Sequence, residues 1–204
     1  IVGPINKMRW IYSCGKQMMD RVIAAYGQEE GLRYTLFRPF NWIGPRLDTF
    51  RDAEGRKARS ITQILYDVTH GRDVSLVGSG RQRRSFTWVG DGVEALEAVI
   101  RNEGGRADGE IFNIGNPRNN ASIRELALLV IEALKPHPKY GPLAERARLV
   151  EIDSRDYYGK GYEDVLNRVP SVEKANLLLG WKPRTTLEEA VRMTVEETLA
   201  EQGV

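Results

Sequence analysis

The chain has 204 residues, 41% hydrophobic and 28% charged, the length and balance of one globular domain or of a large part of a bigger one, and this argues against a disordered chain. Its 30 basic and 28 acidic residues leave a formal net charge of +2, so the overall charge points neither to nucleic acid nor to an anionic membrane surface. Cys14 is the lone cysteine and His70 and His137 are the only histidines, which excludes an internal disulfide and leaves almost no material for a metal hydrolase or a histidine-based triad. Tyrosine, lysine, arginine and carboxylates remain to carry any chemistry. No run of about 18 apolar residues occurs, and Ile1 to Lys7 lack the order of a signal peptide, so a cytoplasmic protein without membrane insertion is the default expectation. The chain opens without Met and passes almost at once into a motif that normally sits mid-domain, which reads as truncation.

In chain order, the apolar spacing of Ile11, Met18, Met19, Val22, Ile23 and Tyr26 predicts a helix over about 10–30, with Gly31 as its C-cap. Tyr34 to Arg38 reads as a buried strand stopped by Pro39, delivering Asn41 in the loop at its C-terminal end. Residues 47–59 read as an exposed loop, followed by an amphipathic helix through Ile61, Ile64, Leu65 and Val68. Short strands are expected at Val74–Val77 and Ser85–Trp88, a helix over 91–101, and a strand at Glu110–Ile114. Ser122 with Glu125 forms a capping box for a helix to about Leu134, and 136–142 reads as a loop. A strand at Leu149–Ile152, a short helix capped by Ser171 and closed by Gly180, and a final helix with the box Thr186 and Glu189 complete an α/β alternation.

The strongest chemical signal is Tyr12-Ser13-Cys14-Gly15-Lys16. The i, i+4 spacing on a helix puts both side chains on one face. A phenol is a poor base at neutral pH, but a neighbouring ammonium and a cationic nicotinamide both favour the phenolate, so Tyr12 is a candidate general base for an alcohol proton. Read alone, the pair could equally lie on a solvated helix face. Arg81, Arg83 and Arg84 follow Gly78-Ser79-Gly80, a pattern that suits a pyrophosphate and equally a solvated hairpin. Asn41 is either a ligand-orienting group or a turn residue, and Cys14 reads as a small buried filler.

Around the pair, Thr35-Leu36-Phe37-Arg38-Pro39-Phe40-Asn41 with Gly44-Pro45, then Arg84-Ser85-Phe86-Thr87-Trp88-Val89 with Asp91-Gly92, Phe112-Asn113-Ile114-Gly115 and Leu179-Gly180-Trp181-Lys182-Pro183 resemble the signatures of extended short-chain dehydrogenases in order. Within that class, Gly3 to Lys7, Arg9 to Ser13, Phe37 to Trp42, Tyr157 to Tyr162 and Arg168 are similar to the UDP-glucuronate decarboxylase domains of the ArnA type. The resemblance implies the C-terminal part of a Rossmann-like α/β fold, with 1–45 and roughly 85–115 completing the Rossmann sheet and catalytic helix. Roughly 46–84 and 116–204 would form a smaller mixed α/β substrate lobe, and the glycine-rich NAD-binding half would be absent. It implies NAD as cofactor, with Tyr12 and Lys16 as the catalytic and cofactor-contacting pair. Arg9, Asn41, Ser75, Arg81, Gln82, Arg84 and Tyr162 would contact a UDP-sugar, Arg168 would stand where the family places its proton donor, and the protein would self-associate.

The implied reaction is chemically coherent: oxidation at sugar C4 creates a ketone β to the C6 carboxylate, so loss of CO₂ leaves a carbanion delocalised as an enolate. A cation near that enolate stabilises it, and Arg168 suits an anion clamp better than a literal acid, because guanidinium hardly loses protons. The resemblance places this activity in lipid A aminoarabinose modification and polymyxin resistance. Competing readings are a UDP-xylose-forming decarboxylase, a nucleotide-sugar 4-epimerase or dehydratase, and a non-catalytic nucleotide-sugar-binding module. No glycine-rich turn precedes Tyr12, so this chain alone is expected to bind NAD poorly.

Overall fold

A computed structural model describes residues 5–6, 10–154, 157 and 165–201. The chain enters through α1 (Trp10–Glu30), then β1 (Leu36–Pro39), β2 (Trp42–Ile43), α2 (Phe50–Glu54) and α3 (Ser60–Thr69). Next come β3 (Val74–Val77), a short 3-10 turn, β4 (Arg83–Ser85), β5 (Thr87–Trp88), α4 (Val89–Arg101), β6 (Ile111–Ile114) and β7 (Asn120–Ser122). The last described elements are α5 (Ile123–Leu134), α6 (Gly141–Ala144), β8 (Leu149–Ile152), β9 (Asn167–Arg168), α7 (Glu173–Leu179) and α8 (Leu187–Glu201). The predicted elements recur with shifted ends, and the α/β character holds.

Strand pairing is mostly parallel. β1 runs beside β6, β2 beside β5, and β3 beside β8, while β4 lies between antiparallel β7 and parallel β9. Parallel neighbours need crossovers, and here helices supply them, which is the packing logic of an α/β protein. The apolar residues gather in two clusters. One joins Ile61, Leu65 and Val68 of α3 to Val74, Leu76, Leu126, Val130, Leu134, Val191 and Val195. The other sets Phe112 and Ile114 of β6 against Ala95, Ala107, Ala175 and Trp181, with Trp42 packed against it. α4 fits this second cluster because Gly92 has no side chain: a Cβ there would lie 2.6 Å from Cζ2 of Trp42.

Five local readings need correction. β1 is not the buried strand expected, since Leu36 is half-buried and Phe37, Arg38 and Pro39 are exposed. The stretch 47–59 is not all loop, because Thr49 and Asp52 form a capping box that starts α2. The 136–142 loop runs into the one-turn helix α6. The expected strand at 85–88 is broken at Phe86, whose ring is buried in the first cluster. Ser171 does not cap α7: Val172 holds the N-cap position without a side-chain bond, and Ser171 instead accepts a hydrogen bond from Asn113 through its carbonyl. The boxes at Ser122–Glu125 and Thr186–Glu189 form as expected.

α1 differs from the other long helices in having no buried residue, and Ile11, Met18, Met19, Val22 and Tyr26 stand exposed along it. Arg38 of β1 ties it down by an ion pair to Asp20 at 2.6 Å, and Gly27 lies against the Tyr34 ring.

Asp67 on α3 is buried, and burial raises its carboxyl above the usual range despite a hydrogen bond from Gln63 and the charges of Arg56, Arg72 and His70. A raised native value means that the folded protein holds this proton more tightly than the unfolded chain. Asp67 therefore costs stability as pH rises above the unfolded carboxyl range. Gln63 Oε1 is buried there without a partner, and an amide at position 67 could supply the missing donor. Asp67→Asn in the complete protein is expected to raise the melting temperature at pH 7 and to change it far less at pH 3, as read by calorimetry at both pH values.

Candidate active site

The candidate site residues are carried by α1, the loop after β1, β3, the 3-10 turn with β4, and β9. On α1, Lys16 Nζ lies 5.6 Å from the centre of the Tyr12 ring, so the pair shares one helix face. Tyr12 is 72% exposed, open to anything that approaches the helix from that side. Cys14, two residues from each, is exposed and not the buried filler that its size suggested.

Asn41 follows the C-terminal end of β1, where open α/β sheets place their ligands. Its backbone is left-handed, at φ 40°. Its side-chain amide donates to Ser85 O at 3.2 Å, and its carbonyl accepts from Thr87 N at 3.2 Å. Asn41 is thus both a turn residue and a fixed polar group.

β4 brings the other candidates together. Arg84 stands in register with Arg168 of β9, and Ser85 Oγ donates to Arg168 O at 3.4 Å. Ser85 therefore joins Asn41 on one side to Arg168 on the other, an arrangement that sequence spacing of 127 positions does not reveal. Arg84 is 7% exposed, and its Nη1 donates to Val165 O at 2.6 Å and Arg83 O at 2.7 Å. Arg83 is engaged with Glu125 at 2.9 Å and with Asn120. Of the arginine cluster, Arg81 is the exposed member, at the end of the 3-10 turn. Gln82 is half-buried, its amide 3.4 Å from Val77 O. Ser75 is half-buried in β3 opposite Val150, on the strand face opposite to buried Val74 and Leu76. Arg9 and Tyr162 lie outside the described residues.

Sequence reasoning passed over a buried polar lattice behind these groups. Thr87 Oγ1 donates to Phe40 O at 2.8 Å and accepts from Asn116 N at 3.0 Å. The amides of Asn116 and Asn119 both donate to Thr185 O at 3.0 Å. Asp91, 5% exposed, accepts from Arg184 N at 3.2 Å, Thr185 N at 3.1 Å and Thr185 Oγ1 at 3.0 Å. Three polar residue types between apolar strands were the signal that could have found it, since buried polar groups are hydrogen-bonded.

No group of three or more His, Cys, Asp or Glu among the described residues is arranged to hold a metal, and no described helix is long and apolar enough to cross a membrane. The Tyr12 hydroxyl and Lys16 ammonium on one open helix face fit the nicotinamide end of a dinucleotide. No G-x-G-x-x-G turn for its diphosphate occurs in this sequence.

Removing Asp91 leaves three donors without their acceptor, two of them bonded to a carboxylate oxygen shared between neighbouring amides. Asp91→Ala in the complete protein is expected to lower unfolding free energy by roughly 3 kcal/mol, read by urea denaturation.

The model of the NAD dependent epimerase/dehydratase family matches residues 2–115. The crystal structure of PbgP3 protein from Burkholderia pseudomallei superposes with a TM-score of 0.79 at 46% identity, covering 95% of this chain and 54% of that one. UDP-glucose 4-epimerase of Thermotoga maritima, solved with UDP-glucose, gives a TM-score of 0.76 at 27% identity over 95% and 54% of the two chains. UDP-glucuronic acid 4-epimerase from Bacillus cereus, solved with UDP-glucuronic acid and NAD, shares the fold at a TM-score of 0.70 and 17% identity, over 89% and 50%. The chain spans about half the length of these solved structures. Matched over more than half of its own length, with the Tyr/Lys helix and the Asn41 loop inside the match, the chain belongs to the NAD dependent epimerase/dehydratase family.

Proposed function

We propose that the complete protein carries out the NAD-dependent oxidative decarboxylation of UDP-glucuronic acid to a UDP-4-keto-pentose, the ArnA-type reaction of lipid A aminoarabinose modification and polymyxin resistance. The observation that carries this reading is the register of β4 and β9, which sets Arg168 beside Arg84 and one residue from the Ser85 that holds Asn41. The register thus puts a cationic residue on the strand beside the one that holds Asn41, and a cation near the sugar stabilises an enolate.

Tyr12, as the phenolate, accepts the proton of the C4 hydroxyl and becomes neutral, and the Lys16 ammonium beside its ring favours the phenolate that must be present before the transfer. NAD, when bound, supplies the hydride acceptor. Asn41 orients the nucleotide sugar, with Ser75, Arg81, Gln82 and Arg84 on its diphosphate and sugar side and Arg9 and Tyr162 completing the contacts. Arg84 serves through both its charge and its hold on Val165, so an Arg84→Lys change would lose the fork geometry and not only a contact. Arg168 clamps the carboxylate and then the enolate oxygen. The UDP-glucose 4-epimerase likeness favours one rival, in which the C4 ketone is reduced again from the other face without loss of carbon.

The test is release of CO₂ and NADH by the complete protein from UDP-glucuronate and NAD, with UDP-glucose as control. Both products from the glucuronate alone are expected, whereas conversion to UDP-galacturonate without CO₂ would transfer the site to an epimerase. Tyr12→Phe is expected to lower kcat by about 10³-fold, within the range that positioned proton transfer supplies. Unchanged turnover would remove Tyr12 from the role of base, and binding of UDP-glucuronate with no turnover by the parent would instead favour a binding module.

A further inference from the structure

The loop that presents Asn41 stands on one buried threonine. Thr87 is 0% exposed, and three of its bonds converge on the chain just after β1 and β6: Oγ1–H to Phe40 O at 2.8 Å, N–H to Asn41 O at 3.2 Å, and Asn116 N–H to Oγ1 at 3.0 Å. Phe40 N in turn donates to Ile114 O at 3.0 Å, so the loop is gripped from both sides. Asn41 itself is left-handed, a conformation that costs a non-glycine residue about 1 kcal/mol and persists only where the surroundings fix it.

We propose that Thr87 is a positioning residue for nucleotide-sugar binding, holding Asn41 in the geometry in which its amide meets the ligand. This rests on the assignment of Asn41 to the UDP-sugar site. A hydroxyl is needed because a single side-chain atom must donate to Phe40 O and accept from Asn116 N. Serine can do the same, whereas valine fills the same volume and deprives Phe40 O and the buried Asn116 N of this partner. The loop then relaxes toward ordinary backbone and carries Asn41 with it. A misplacement of about 1 Å is enough to weaken a positioned contact severely.

The experiment uses the complete protein and titration calorimetry with UDP-glucuronate as the probe, on Thr87→Val, Thr87→Ser, Asn41→Ala and the Thr87→Val/Asn41→Ala double variant. Thr87→Val is expected to raise Kd about tenfold, as Asn41→Ala does, with Thr87→Ser within about twofold of the parent and the double variant no weaker than Asn41→Ala. The KM for NAD is expected to stay within about twofold throughout, a selectivity that a general loss of stability would not produce. Parent-like binding by Thr87→Val beside weakened Asn41→Ala overturns the positioning role alone, as does additivity in the double variant. Parent-like binding by Asn41→Ala overturns the site assignment and this proposal with it. Should the valine variant fail to fold, Thr87→Cys keeps a weaker hydrogen-bonding group; severalfold weaker binding supports the role and parent-like binding removes it.

Discussion

The buried carboxylate of Asp91 is the constraint on which the arrangement depends. It sits in the first turn of α4, where the positive end of the helix favours an anion, and it collects the amides of Arg184 and Thr185 together with the Thr185 hydroxyl. Its carbonyl also accepts from the Trp181 indole at 2.9 Å. Through Thr185 O the same lattice reaches Asn116 and Asn119, and through Asn116 it reaches Thr87 and the Asn41 loop. A chain of satisfied polar groups thus runs from the start of α8 to the candidate ligand site. Because Asp91, Thr87, Asn116 and Asn119 are buried, losing one leaves its neighbours unpaired, so the lattice fixes its geometry as a unit.

β4 extends that logic to the arginines. Only three residues long, it pairs with β7 on one side and β9 on the other, and its side chains spend much of their hydrogen-bonding capacity on the fold. Arg83 is spent on Glu125 and Asn120, and Arg84 on the Val165 carbonyl, so the phosphate-like pattern of three arginines resolves into members with different tasks. Arg81 alone among the three arginines after the glycine turn stands exposed.

Much of the fold was legible because periodicity and capping are local. The helix over 10–30, the strand at Val74–Val77 and the boxes at Ser122–Glu125 and Thr186–Glu189 depend on neighbours within a turn or two. Two of the breaks came where a distant partner decides: Phe86 divides a strand because its ring enters the core, and Ser171 yields its cap role while its carbonyl serves Asn113; the Thr49–Asp52 box that starts α2 is local and was passed over. The pairing of Tyr12 with Lys16 was readable from i, i+4 spacing, whereas the meeting of Asn41 and Arg168 at Ser85 and the Thr87 lattice are products of topology, invisible to spacing.

The proposal makes one spatial demand: Tyr12, Asn41 and Arg168, drawn from a helix, a loop and a two-residue strand, must reach one nucleotide sugar. A crystal structure of the complete protein with UDP-glucuronate and NAD measures it directly. The account predicts Tyr12 Oη within about 3 Å of the sugar O4, the Asn41 amide on the ligand and the Arg168 guanidinium at the C6 carboxylate. A ligand bound with Tyr12 beyond hydrogen-bonding reach of the ring hydroxyls, or with Arg168 turned away from the carboxylate, would contradict it.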